Sequence, residues 1–436
     1  MTGVQTCALP ICDRAVGAWC RSAGVAWTEH RQTGVFRGDA DRDTRDARWR
    51  AFTAAGPLPV PPDLARVRVP RAALALALPG PLTPAGLGHP LSDAQTALRQ
   101  PVSEAAAAET LASFLGHRAL GYSGGISSPN RAFESGSRLS VHLAWGTTTG
   151  RAVYAATQAR LDELAGVAHP DAAAWRKSLT AFKSRLHWRD HFVQRLESEP
   201  GMEFGPLNAA YADLPTPGDP LLADWLAGRT GWPLVDACMR CAEQTGFLNF
   251  RMRALVTSVA VHSLRMSWAT ILHPMARLWA DYEPGIHIAQ TQMQAGVVGI
   301  NQLRVYSPDK QLADQDPDAV FVRRWVPELA AATPAAIFAH PETPLPGYPL
   351  PLVDWRESSK AMRDDFTAIR ERPETRAIAD AVYLRHGSRL AKKDRTWNSN
   401  GPKKPARPKA TGTKKAAGPK RPPKALAPLP LFPDLG

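Results

Sequence analysis

The sequence predicts a mainly α-helical protein, and three segments carry that prediction. Between Pro233 and Gly246, apolar residues recur every three to four positions, and proline and glycine are common at the start and the end of a helix. The segment from Ala254 to Leu272 is apolar nearly all round, which is typical of a helix buried inside a large core. Ala105 to Leu120 reads as a third strong helix.

Length and charge limit the class of protein. A chain of 436 residues can hold two or three domains, and it has no apolar run long enough to span a bilayer, so we expect a soluble protein. The formal net charge is +13, but 14 of the 53 Lys and Arg lie from Arg385 onward, against 2 of the 40 Asp and Glu. The body is therefore almost neutral. The basic tail, residues 388–436, is predicted to be disordered, either as a solubilising extension or as a weak, salt-sensitive attachment to nucleic acid.

Two further segments are set apart by composition. Residues 1–12 lack the basic start and long apolar core of a secretory signal, and they have the appearance of an artefactual leader. Residues 51–100 are rich in Pro, Ala and Leu, which predicts a surface linker with short helices.

The cysteines give no metal site. Cys238 and Cys241 are spaced C-x-x-C, but they fall inside the predicted helix, and the sequence offers no second pair at comparable spacing. We expect ordinary helix packing, no bound metal, no disulfide framework and a reducing cytoplasmic location.

The stretch from Gly228 to Leu329 carries a dense set of motif matches. It reads G-x-T-G-x-P-x-V-D-A-x-M-R, then T-G, then R-x-R, and it ends in Trp-Val-Pro-Glu-Leu. This pattern resembles the flavin-binding region of the cryptochrome/DNA photolyase family. The resemblance implies an FAD protein that responds to blue light and has DNA as its partner, with a large all-helical FAD-binding domain over residues 101–387. We also expect a monomer.

The start of the chain resembles a different part of that family. Residues 13–50 are similar to the last helix and strand of its N-terminal antenna domain, which implies a truncated α/β remnant. The preceding parallel-sheet units are absent from this sequence. We therefore expect no complete doubly wound domain and no antenna pigment.

The resemblance also implies residues that hold the FAD diphosphate. The run from Gly136 to Ser140 is similar to the family's T-S-R-L-S motif, and Tyr122 matches an upstream tyrosine that helps to bind the cofactor. From the residues alone, Ser137 and Ser140 are helix caps with exposed donors, and Gly136 permits a close backbone approach. The residues implied at this part of the site are Tyr122, Gly136, Ser137, Arg138, Leu139 and Ser140.

A second set is implied around the flavin ring. The residues are Arg189, Arg251, Arg253, Asp281, Glu283 and His287. By the resemblance, Asp281 pairs with Arg253 over the isoalloxazine ring, and His287 falls where a residue facing flavin N5 is expected. Without the family, the arginines read as structural ion pairs, and the two carboxylates before Pro284 read as a solvated turn.

The predicted DNA side departs from the family. Trp188 matches a tryptophan that stacks on the flipped-out lesion, but Arg185 replaces a lesion-binding glutamate of pyrimidine-dimer enzymes, and neither repair subtype's histidine pattern is present. The residues implied to contact DNA are Arg185, Trp188, Phe250, Met293 and Gln311. Trp268 matches the middle member of the family's electron-transfer chain of tryptophans, while Thr291 replaces the member nearest the flavin.

Three functions remain open from the sequence. The first is a photolyase-type enzyme in which excited reduced FAD gives an electron to a pyrimidine photoproduct, with Trp188 and Trp268 as the residues closest to the chemistry. The second is a cryptochrome-like photoreceptor without repair activity, which Arg185, Phe250 and Met293 favour. The third is a protein that binds nucleic acid without flavin.

Overall fold

A computed structural model describes residues 9–38, 41–59, 91–166, 170–216, 219–300 and 303–387. Within these ranges every regular element is helical. The first half contains α1 (Leu9–Ser22), α2 (Arg42–Ala54), α3 (Asp93–Leu98), α4 (Glu104–Gly116), α5 (Tyr122–Gly125), α6 (Ala132–Ser135), α7 (Ser140–Trp145), α8 (Gly150–Gly166) and α9 (Ala172–Ser198). The second half contains α10 (Leu222–Leu226), α11 (Pro233–Thr245), α12 (Phe250–Ser258), α13 (Trp268–Ala276), α14 (Pro284–Ala295), α15 (Pro308–Gln315), α16 (Val320–Trp325), α17 (Pro334–Ala339), α18 (Trp355–Arg370) and α19 (Pro373–His386).

Helix α11 confirms the strongest sequence prediction. It starts at Pro233 and stops before Gly246, whose φ of 68° is the left-handed conformation that favours glycine at a helix end. Cys238 and Cys241 are fully buried free thiols within it, so they pack in the core as expected. Burial raises the pKa of Cys241 to about 12, which keeps this thiol protonated and unreactive.

The prediction of one helix from Ala254 to Leu272 was wrong. Helix α12 ends at Ser258 and continues as a π-helix over Val259–Ser263, residues 264–267 are not helical, and α13 starts at Trp268. Contacts from distant segments stabilise the break: His262 donates to the carbonyl of Gln294 at 3.0 Å, and Arg265, at φ 57°, pairs with Asp365 at 2.5 Å. Hydrophobic periodicity carries no signal for such long-range partners.

Two hydrophobic cores lie along one long helix. Helix α9 has 27 residues and is about 40 Å long. Its first half packs Trp175, Leu179 and Phe182 into a smaller core with α4 and α8. Its second half joins the larger core, which α11 to α14 dominate. Helix α9 therefore contacts both cores: the smaller core lies beside the segment between α4 and α7, and the larger core contains α12 and α14.

The expected strand near the start of the chain is absent from the described residues 23–38. Instead, the side chain of Gln194 on α9 takes the place of a partner strand: Phe36 N–H donates to Gln194 Oε1 at 2.7 Å, and Gln194 Nε2 donates to the carbonyl of Phe36 at 2.9 Å. Both backbone polar groups of Phe36 are thus satisfied by one amide side chain, without a neighbouring strand.

Several domain predictions fall partly outside the described ranges. The tail 388–436 lies outside them, and so does most of the proposed linker. Helix α1 runs through residue 12, and α2 runs through residue 50, so neither expected boundary coincides with a helix end. No helix in the described part of the chain is long and apolar enough to cross a membrane, and no group of His, Cys, Asp or Glu there could hold a metal ion.

Candidate functional site

The ion pair between Arg253 and Asp281 is the centre of the site. Arg253 Nη2 lies 2.8 Å from Asp281 Oδ1, its Nε donates to the carbonyl of Leu248 at 2.8 Å, and its guanidinium stacks 4.2 Å from the ring centroid of Trp279. The two side chains are 24% and 11% exposed. Three different contacts therefore fix the guanidinium of Arg253. Of these, the family resemblance had implied the pairing with Asp281.

A second ion pair lies beside it. Arg189 Nη2 on α9 lies 3.0 Å from Glu283 Oε2 and 3.2 Å from the carbonyl of Leu143. Burial raises the pKa of Glu283, and the charge of Arg189 opposes that rise. Helices α9 and α14 approach closely at Gly285, since a Cβ at this position would lie only 2.5 Å from the Cα of Val193. A glycine therefore allows this separation of the two helices. The turn before α14 is thus a packed ion-pair site, and the solvated-turn interpretation was wrong.

Arg138 enters this region from the loop before α7. Its φ is 59°, which is uncommon for a residue other than glycine. Its guanidinium lies 3.8 Å from the ring centroid of Phe247, and burial lowers its pKa to about 10, with Asp281 opposing and Arg253 reinforcing the shift. The loop therefore brings a cation to the Arg253 and Asp281 pair.

The predicted capping by serine side chains was wrong. Helix α7 begins at Ser140 after Leu139, and no side chain caps it; Ser137 Oγ instead accepts from the N–H of Leu139 at 3.4 Å. A Cβ at Gly136 would meet the carbonyl oxygen of Ala132 at 2.4 Å, so packing of the chain on itself accounts for this glycine. The sequence rule failed because the loop is held by a distant arginine, Arg118.

Arg118 is a site residue that the sequence did not indicate. It donates to the carbonyl of Gly136, to the carbonyl of Ser137 at 3.2 Å and to Ser113 Oγ at 2.6 Å. Asn249 acts similarly: its Nδ2 donates to the carbonyl of Ile126 at 2.9 Å and ties the segment after α5 to α12. A carbonyl is present at every residue, so the sequence does not indicate either of these contacts.

His287 faces the interior of the protein beside these groups. Its Nε2 lies 2.8 Å from the carbonyl of Leu272, and because a carbonyl only accepts, Nε2 carries the proton. Burial lowers the pKa of His287 to about 4. The imidazole is therefore neutral at physiological pH, and its Nδ1 carries no proton.

The surface beside the ion pairs carries aromatic side chains. Trp188, one residue before Arg189, is 39% exposed and packs against His191 and Phe192 with ring centroids 5.6 and 5.7 Å away. Phe250, at the first position of α12, is 57% exposed. An exposed tryptophan held against two rings is a preformed stacking surface.

The remaining predicted residues separate into buried and surface groups. Tyr122 is buried among Phe114 and Phe182, and burial raises its pKa to about 12 while Arg185 contacts its hydroxyl. Trp268 and Thr291 are buried in the larger core region. The others are Met293, which is partly buried against the larger core, Gln311, which is buried, and Arg251, which is half-buried on α12.

Side chains on the loop before α7, on α12 and at α14 carry buried polar atoms without a partner in the described part of the chain. Arg138 Nη1, Glu283 Oε1, Arg251 Nε and Gln290 Oε1 are buried and have no hydrogen-bond partner among the described residues. Buried donors and acceptors normally have partners, because leaving one unpaired costs about 1–3 kcal/mol. Donors and acceptors of both kinds fit a large ligand with anionic and heteroaromatic parts, as the predicted FAD has.

Comparison with known proteins shows that part of this chain is similar to an FAD-binding domain. A family model described as the FAD binding domain of DNA photolyase matches residues 182–368. A deoxyribodipyrimidine photo-lyase of Halobacterium salinarum is 30% identical over 249 residues, covering 55% of this chain and 50% of that protein. A cryptochrome DASH of Gloeobacter violaceus is 30% identical over 200 residues, covering 43% of this chain and 40% of that protein.

A solved structure extends the likeness of fold. The bacterial class III photolyase from Agrobacterium tumefaciens aligns with a TM-score of 0.59 at 22% identity, and the alignment covers 82% of each chain. The chain spans about half the length of the curated relatives it matches. The matched region includes α11 to α16 and the ion pairs that they carry.

Proposed function

Because this chain belongs to the cryptochrome/DNA photolyase family and carries that family's FAD-binding domain, we propose that it is a light-driven, photolyase-type lyase acting on pyrimidine photoproducts in DNA. The observation that supports this most is the position of Trp188. An exposed, ordered tryptophan stands beside Arg189, which reaches the carboxylate of Glu283 at the cofactor site. A flipped-out base needs an aromatic surface of this kind next to the reacting group.

The chain's own residues would bind and orient FAD, which supplies the absorption of light and the transferred electron when it is bound. Arg138, Ser137 and Ser140 would hold the diphosphate, with Arg118 fixing their loop. The ion pairs of Arg253 and Arg189 would orient the flavin ring by offering charges that cannot move. This is positioning and electrostatic work, and the cleavage itself belongs to the cofactor.

His287 would not exchange protons during the reaction. Its Nε2 proton is held by the carbonyl of Leu272, and its pKa of about 4 keeps the ring neutral. The other nitrogen can only accept a hydrogen bond in that state. We therefore assign His287 a role in fixing the polarity near the flavin.

The second candidate is a flavin photoreceptor without repair activity. It is favoured by Arg185, which is exposed, contacts the Tyr122 hydroxyl and takes the place predicted for a lesion-binding glutamate. A guanidinium has no acceptor, so it cannot accept hydrogen bonds from the base edge of a lesion. Phe250 and Met293 favour the same alternative.

Light-dependent repair of an oligonucleotide with one defined thymine dimer tests the proposal. The flavin-loaded, reduced protein should restore the undamaged strand only under blue light. Trp188→Ala should abolish repair while keeping flavin, whereas Trp27→Ala, which removes another exposed tryptophan, should leave repair unchanged. A loaded and photoactive protein that repairs nothing would reject the enzyme and favour the photoreceptor.

A further inference from the structure

A cluster of buried arginines lies away from the cofactor site, where α2 and α19 meet the end of α9. Arg42, Arg45 and Arg195 are 7%, 4% and 4% exposed. Helix α2 docks on α9 here through Trp49, whose Nε1 donates to Asp190 at 2.9 Å. Buried arginine is uncommon, and it normally has an anionic partner.

The carboxylates nearby are already paired with other groups. Asp46 lies 3.1 Å from Arg42 and 3.2 Å from His187. Glu199 pairs with Arg385 and lies 3.2 Å from His386. In the described part of the chain, no carboxylate lies within ion-pair distance of Arg195; its one hydrogen-bonded neighbour is His191 Nε2, at 3.3 Å from Arg195 Nη2.

The two histidines of the cluster, His191 and His386, do not change its excess of positive charge. Burial and then the arginines lower the pKa of His191 to about 2 and that of His386 to about 3, so both rings are neutral. Burial, followed by Arg45 and Arg42, lowers the pKa of Arg195 to about 10. Arg195 therefore still carries its charge at physiological pH.

Several N–H groups of the cluster are also without a partner. Arg195 Nε and Nη1 and Arg42 Nε are buried and make no hydrogen bond within the described ranges. A buried guanidinium without an anionic partner destabilises the folded state. Such a site is stable when an anion supplies both charge and acceptors.

We propose that this cluster is a binding site for a small tetrahedral oxyanion of the phosphate class, with Arg195 as the central ligand and the free Nε of Arg42 beside it. Guanidinium groups present paired N–H donors that match phosphate oxygens. A tetrahedral oxyanion would supply both the negative charge and the acceptors that Arg195 lacks among the described residues. Since each arginine is less than a tenth exposed, the site accepts a free ion and excludes a nucleic-acid backbone.

Equilibrium dialysis of the full-length, flavin-loaded protein against labelled inorganic phosphate tests this site, with sodium chloride holding the ionic strength constant. The parent should retain phosphate at a saturable site. Arg195→Met should lose it, and Arg195→Lys, which keeps the charge without the planar fork, should bind about tenfold more weakly. Arg229→Met is the matched control, because Arg229 is 56% exposed and pairs with Asp224 on the surface.

Thermal unfolding is a second measurement, and it separates two explanations: Arg195 binds phosphate, or the chain itself neutralises Arg195. Phosphate should raise the Tm of the parent and of Arg229→Met but not that of Arg195→Met. In phosphate-free buffer, Arg195→Met should be at least as stable as the parent, because it removes an uncompensated charge. No saturable phosphate in the parent, or equal binding by Arg195→Met, which would mean an adventitious ion only, overturns the proposal. A phosphate-independent loss of stability in Arg195→Met also overturns it, since the chain itself would then neutralise Arg195.

Discussion

Replacing Arg253 with methionine should destabilise the protein and weaken its hold on FAD. The substitution removes the 2.8 Å ion pair with Asp281, the hydrogen bond to the carbonyl of Leu248 and the stacking contact with Trp279. Breaking a fully buried pair costs about 3–5 kcal/mol, and this pair is partly exposed, so we discount it to about 2 kcal/mol. With about 1 kcal/mol for the stacking contact, the expected loss is about 3 kcal/mol.

Urea unfolding of the apo and flavin-loaded forms measures this loss. Arg229→Met removes an exposed arginine pair and should cost less than about 1 kcal/mol. The double variant Arg253→Met with Asp281→Leu should recover part of the stability, since no carboxylate is then left without its partner. The reasoning is refuted if Arg253→Met is as harmless as Arg229→Met, or if the double variant is no more stable than the single one.

Three further predictions concern acidity, the tail and photoreduction. Burial lowers the pKa of His262 to about 4, so the unfolded state binds more protons; His262 alone should lower the unfolding free energy by about 3 kcal/mol as pH drops from about 6.5 to 4, and Tm against pH should fall less in His262→Gln. Deleting residues 401–436 should leave flavin content and Tm unchanged but lower DNA affinity, mainly at low salt; equal affinities across a salt series would contradict this. Flavin photoreduction with an external reductant should be slow and should accelerate in Thr291→Trp. Fast reduction in the parent that disappears in Trp268→Phe would show that the usual tryptophan route survives.

The sequence predicted what depends on local pattern and on paired motifs. Helix α11 was correct to within a residue because proline, periodicity and glycine agree there. The pair of Arg253 and Asp281 was also predicted, although the two lie 28 positions apart, because the family resemblance supplied the pairing. Physical reasoning from the residues alone had left structural ion pairs as the simpler explanation.

What the sequence could not predict depends on contacts with backbone atoms far along the chain. Arg118 holds the carbonyls of Gly136 and Ser137, and Gln194 holds both polar groups of Phe36. Every residue has a backbone carbonyl, so the residue type at the accepting position does not predict the contact. The break between Ser263 and Trp268 could not be predicted for the same reason.

The close packing at Gly285 links the separation of two helices to the geometry of the polar groups that they carry. Glu283 immediately precedes α14 and His287 lies within it. The separation between α14 and α9 therefore affects the positions of both side chains relative to α9. At this separation there is room only for a hydrogen atom on the Cα of residue 285. Gly285→Ala would therefore force α14 away from α9 and lengthen the 3.0 Å contact between Arg189 and Glu283, although every charged residue would still be present.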